Sequence, residues 1–118
     1  MPNYMFVYRS QPFDMSKISP EQMQQSMDRW GQWIGQGFQE GWMIDGGDAL
    51  LPEGRIVNAQ KVVSDGPFVE SKEVVGGYSL IKAASFEEAA KYAQSCPNVL
   101  EGGSVEIRQL AGLSPPKE

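Results

Sequence analysis

The first strand of this sequence, Tyr4-Met5-Phe6-Val7-Tyr8-Arg9, is apolar on both of its sides, and nothing else in the chain restricts its fold so tightly. Successive side chains of a strand point to opposite faces of a sheet. Tyr4, Phe6 and Tyr8 therefore line one face and Met5 and Val7 the other, with Arg9 at the end. A strand of this kind belongs inside a sheet that is covered twice. Residues 74–82, which run from Val74-Val75 to Leu80-Ile81-Lys82, read the same way, although Gly76-Gly77 interrupts them.

Two helices are marked by their first turns. Ser19-Pro20-Glu21-Gln22 opens the first with a capping box, Ser19 as N-cap, Gln22 three residues on and Pro20 in the first turn. Met23, Met27, Trp30, Ile34 and Phe38 recur every three or four residues, which predicts one apolar stripe facing the core. Gly31, Gly35 and Gly37 each weaken a helix by about 1 kcal/mol relative to alanine, so close packing against them is expected. Gly41 is the natural stop. Ser85-Phe86-Glu87-Glu88 reads as a second capping box, followed by Ala89, Ala90, Tyr92 and Ala93 and ended by Pro97.

The remaining segments complete a plan. Trp42-Met43-Ile44-Asp45 begins a second strand, which Gly46-Gly47-Asp48 breaks or bulges. Residues 51–54 turn the chain, residues 56–64 read as a third strand and residues 74–82 as a fourth. In residues 104–110, Val105 and Ile107 alternate with Ser104, Glu106 and Arg108, as in a strand with one wetter face. Strand, helix, strand, strand, strand, helix, strand contains two split βαβ halves. That predicts an α+β fold of ferredoxin-like type, one antiparallel sheet with both helices on one face. Two helices cover one face only. The other would leave a large apolar surface, and a second copy of the chain is the economical cover. Residues 1–112 are read as one domain and 113–118 as a tail without assigned structure.

Several classes of function are disfavoured. The net charge is −5, and the ten basic residues are scattered, so no basic stripe is available for nucleic acid. No apolar run has membrane-spanning length and no leader pattern is visible, which predicts a cytoplasmic protein that does not bind membrane. The single cysteine, Cys96, excludes an intramolecular disulfide and reads as a packed thiol in a reducing compartment. There is no histidine, which removes histidine acid–base chemistry, His–Cys and Ser–His–Asp arrangements and the commonest metal ligand. Asp45, Asp48, Asp65 and Glu70 have no recognised ligand spacing, and Gly76-Gly77 is not a dinucleotide fingerprint. Neither a metal nor a cofactor is expected.

The densest run of special backbone chemistry lies within residues 64–81. Asp65 can start a turn, Gly66 can take dihedrals closed to other residues, and Pro67 fixes its own φ. Phe68 is a bulky apolar anchor. The run reads either as a rigid connection or as the rim of a pocket. The polar groups around the glycine breaks are Asp45, Asp48, Asp65, Glu70, Lys72 and Tyr78, with Arg9, Glu106 and Arg108 at strand ends. Tyr8, Trp42, Phe68 and Tyr78 can wall a small-molecule pocket. The first reading is therefore a small-molecule-binding or regulatory homodimer, its ligand held by Tyr8, Arg9, Trp42 and Phe68. The second is an enzyme on a small organic substrate, with Asp45 or Asp65 as carboxylate base and Tyr78 as proton donor. A purely structural interaction module is the third.

Asp65-Gly66-Pro67-Phe68, Glu70-Ser71-Lys72-Glu73 and Gly76-Gly77-Tyr78 together resemble the signature of the YCII-related proteins of the DGPF group. The resemblance takes in Tyr4-Met5, Gly46-Gly47-Asp48-Ala49-Leu50, Phe86-Glu87-Glu88-Ala89 with Cys96-Pro97, and residues 103–108, and so covers roughly residues 4–110. It implies a dimeric α+β barrel in which two sheets pack face to face. The wider group includes proteins with a suspected histidine–aspartate active site. This chain has no histidine and departs from that pattern.

Overall fold

The computed structural model describes residues 1–11, 15–66 and 74–113. It is an α+β structure built on one four-stranded antiparallel sheet in the order β2-β5-β1-β6, formed by β1 (Asn3–Ser10), β2 (Met43–Ala49), β5 (Val74–Lys82) and β6 (Ser104–Gln109). The two strands read as apolar on both faces, β1 and β5, are the central pair, in register from Asn3 opposite Lys82 to Tyr8 opposite Gly77. The ladder then slips, so that Arg9 faces Val75. That slip is the bulge which Gly76-Gly77 announced.

Among the described residues three helices accompany the sheet, α1 (Pro20–Glu40), α2 (Phe86–Gln94) and α3 (Pro97–Leu100), with a 3-10 turn at Met15–Lys17. Both ends of α1 are as expected. Ser19 and Gln22 form the reciprocal capping box, and Gly41 closes the helix in the left-handed conformation at φ 86°. At α2 the Ser85 hydroxyl accepts from the Glu88 amide. The Glu88 carboxylate, however, accepts from Ala84 N, one residue before the cap, so the predicted second box is only half formed. Pro97 does more than end α2. Its fixed φ opens α3 at the first position, where its missing N–H costs nothing.

The core lies between the helices and the sheet face bearing Tyr4, Phe6, Tyr8, Met43 and Ile81. Trp33 of α1 stacks on Phe6 and meets Tyr8 and Trp42 edge-on, and Trp42 stacks on Tyr92 of α2 at 4.4 Å and 6°. This corrects the predicted stripe of α1 in part: Trp30 and Ile34 pack against the core as expected, but others do not. The buried positions are Trp33 and Gly37, whereas Met27 and Phe38 are 60% and 52% exposed. The spacings from Met23 to Phe38 exceed 3.6 residues on average, so the predicted stripe drifts around the helix. Close packing is found at one of the three helix glycines. A Cβ on Gly37 would stand 3.0 Å from both Met43 Cβ and the Trp42 ring, while Gly31 and Gly35 face open space.

The third strand is also corrected. Residues 56–64 are not one strand of the main sheet but parts of a hairpin, β3 (Gly54–Val57) and β4 (Val63–Gly66), which forms a two-stranded sheet of its own. Asn58 makes the turn: its Oδ1 accepts from the amides of Gln60 and Val62, both at 2.9 Å. Asp65 and Gly66 therefore sit in a strand, opposite Arg55 and Gly54. Gly66 does not use the left-handed region, and a Cβ there would meet the end of the Ile56 side chain, which would have to turn away. Pro67, Phe68, Glu70, Lys72 and the 114–118 part of the tail lie outside the described residues.

Candidate functional site

The sheet has a second face, which the helices leave open. Register puts Met5, Val7 and Arg9 of β1 on it, with Tyr78 and Leu80 of β5 and Glu106 and Arg108 of β6. Met5, Val7, Tyr78 and Leu80 form an apolar strip along its middle, each only half-buried. On the β6 side, Arg9 Nε donates to Glu106 Oε1 at 2.9 Å and Arg108 Nη1 donates to Glu106 Oε2 at 3.2 Å. Hydrogen bonds first from Arg108 and then from Arg9 hold the Glu106 carboxyl below the usual glutamate range. Two guanidinium groups against one carboxylate leave this cluster with a net positive charge. Arg108 is the freer of the two, its side chain 72% exposed against 35% for Arg9.

The backbone under Arg9 is fixed from the helix side. Asn98 of α3 donates through Nδ2 both to Arg9 O at 3.0 Å and to Ser104 O at 2.7 Å, joining the end of β1 to the start of β6. Across the sheet, the Tyr8 hydroxyl donates to Ser79 Oγ and Ser79 Oγ donates to Gly46 O, each at 2.7 Å. One chain of bonds, buried at its Tyr8–Ser79 end, thereby ties β1, β5 and β2. Neither Asn98 nor Ser79 stood out in the sequence. The available signals were a lone serine amid the apolar residues of β5 and an asparagine directly after Pro97.

On the β2 edge, Asp45 is in register with Leu80 and Asp48 with Tyr78. Both carboxylates are engaged by nearby amides. Asp45 Oδ1 accepts from Gly47 N and Asp48 Oδ1 from Ala49 N, each at 2.8 Å. Gly47 takes φ 68°, and a Cβ there would collide with Tyr78 O, so the bulge admits only glycine.

The residues singled out in the sequence are thus divided among four places. Arg9, Asp45 and Tyr78 come to the open face and its β2 edge. Tyr8 and Trp42 lie on the other side of the sheet, both 6% exposed and packed among Trp33 and its neighbours. Burial raises the Tyr8 phenol well above the ordinary tyrosine range. Asp65 is on the hairpin, its side chain 95% exposed and 3.5 Å from Arg55. Phe68 is outside the described residues. Cys96 is fully buried, which pushes its thiol up to about 11.

Elsewhere, a shallow groove of about 440 Å³ runs along α1 between Ile18, Met23, Arg29 and Glu101. Glu101 is already bound there by Ser26 and Arg29, and no candidate residue lines the groove. Among the described residues there is no group of three or more His, Cys, Asp or Glu able to hold a metal ion. No described helix is long and apolar enough to cross a membrane.

An α+β protein with one helix-covered sheet face, one open face and an arginine–glutamate–arginine cluster on the open side is the class these features define. The chain belongs to the YCII-related domain family, whose profile matches residues 4–113. It is also similar to an uncharacterised protein of Rhizobium meliloti (strain 1021), 42% identical over 57 residues, which cover 48% of this chain and 46% of that protein. The match thus spans about half the length of that relative.

Proposed function

We propose that the protein is a homodimer of ferredoxin-like subunits, a dimeric α+β barrel, that binds a small organic anion at the open sheet face. The observation that carries this reading is the joining of an apolar strip that no described segment covers, Met5-Val7-Tyr78-Leu80, to the positively charged Arg9–Glu106–Arg108 cluster. An apolar wall with a few convergent polar groups is the ordinary make-up of a small-molecule site, and a guanidinium matches a carboxylate or phosphate oxygen pair. Arg9 and Tyr78 keep their place as site residues, and Arg108 joins them.

Binding is favoured over catalysis because the candidate bases are occupied or distant. Asp45 accepts from the Gly47 amide, and Asp65 is out on the hairpin beside Arg55. The buried thiol of Cys96 suits a reducing, cytoplasmic setting.

A thermal-shift screen with small carboxylates, phosphates and amines tests the ligand class. Anions are expected to raise Tm, and Arg108→Gln to remove the effect without lowering the unliganded Tm. Stabilisation by amines alone, or by anions equally in Arg108→Gln, would overturn it. Equilibrium sedimentation tests the assembly and should give twice the chain mass.

A further inference from the structure

The β3–β4 hairpin is an ordered arm with an apolar side that nothing described covers. Its turn is fully bonded: beyond the Asn58 side-chain bonds, Asn58 N donates to Val62 O at 3.0 Å and Lys61 N to Asn58 O at 2.9 Å, with Lys61 in the left-handed region at φ 67°. On one side Ile56 lies over Gly66. On the other, Val57 and Val63 stand opposite each other, 64% and 61% exposed, next to Val62 at 56%. A two-stranded ribbon alone is marginally stable in water and needs a surface to pack on.

We propose that this arm docks on a second copy of the chain and enlarges the dimer contact beyond the open sheet face. The inference rests on the homodimer reading above. Area argues for it. Four strands about 4.8 Å apart and about 26 Å long present a face of about 500 Å². A stable interface takes about 800 Å² from each partner. The exposed apolar side chains of the arm add area of the size that is lacking, on the order of a few hundred Å². Position argues for it too. Leu50 N donates to Gly76 O at 2.9 Å, so the arm grows out of the β2–β5 ladder at the end of the open face. In a two-fold interface the same patch is used on both subunits, so both arms contribute.

The test replaces the apolar side of the arm with charge, as Val57→Lys and Val63→Lys singly and together. Gln39→Lys on the exposed side of α1 is the control. Sedimentation equilibrium should show the double variant dimerising at least tenfold more weakly than the parent and the control unchanged. In the parent, amide exchange at Val57 and Val63 should slow as protein concentration rises. A parental dimer whose arm variants keep the parental Kd, or arm protection independent of concentration, overturns the arm contact while leaving the homodimer intact. A parent that stays monomeric at all concentrations overturns both. A variant that loses its native circular dichroism hands the decision to the exchange measurement on the parent.

Discussion

The Tyr8 phenol and the Ser79 hydroxyl, 71 residues apart in sequence, meet in a 2.7 Å hydrogen bond inside the sheet, and Ser79 passes its own proton on to Gly46 O. The two ends of this pair are not equivalent. Tyr8→Phe removes one donor and leaves Ser79 bonded, which should cost about 1 kcal/mol, the net worth of an ordinary hydrogen bond. Ser79→Ala leaves the buried Tyr8 hydroxyl and the half-buried Gly46 O without this partner and should cost about 2–3 kcal/mol. Urea unfolding of the two variants and of the double variant checks the order. The double variant should lose less than the sum of the singles.

The helix glycines give a second contrast. Gly35→Ala, with open space around it, should stabilise the protein by about 0.5–1 kcal/mol through helix propensity alone. Gly37→Ala gains the same propensity, yet its Cβ meets Met43 Cβ and the Trp42 ring at 3.0 Å. Neither neighbour can yield without moving the aromatic core, and overpacking costs about 1–3 kcal/mol. Thermal unfolding should move up for Gly35→Ala and down for Gly37→Ala.

Cys96 should report opening of the α2–α3 corner. Its thiol, pushed up to about 11 by burial, gives almost no thiolate at pH 8. Alkylation by iodoacetamide should therefore follow unfolding, and native protein should stay unmodified over hours. The folded value is raised above the unfolded one, so its stabilising contribution is complete below the ordinary cysteine range. It fades as pH rises through about 11. Alkaline denaturation that shifts to higher pH in Cys96→Ala is the corresponding equilibrium check.

Glu106 should titrate in the opposite sense. Bonds from Arg108 and Arg9 lower its folded value, so what it adds to stability is present above the ordinary glutamate range and is lost as pH falls through the folded value. Solvent screening keeps that contribution small. Carboxyl chemical shifts followed by NMR should show Glu106 titrating below the other glutamates. Arg108→Gln and Arg9→Gln should each bring it part of the way back.

Where the deciding forces are local, the sequence alone was sufficient. Ser19 with Gln22 and Gly41 fix both ends of α1 through bonds within a few residues. The bulge at Gly76-Gly77 follows from the missing side chains, and the strands Tyr4-to-Arg9 and Val74-to-Lys82 follow from their aromatic and β-branched residues. Tertiary structure decided the rest. Whether Trp33 or Phe38 faces inward depends on where Phe6, Tyr8 and Trp42 stand. Residues 54–66 carry a strand-like pattern, but only the pairing of Val57 with Val63 turned them into an arm separate from the sheet. The candidate residues near the glycine breaks could be named from the sequence, whereas their division between the two faces could not. Tyr8 and Arg9 are adjacent in the chain, yet the pleat sends one into the aromatic core and the other to Glu106 on the open face. Which of those faces has a helix over it is settled by packing between distant segments, and no local pattern encodes it.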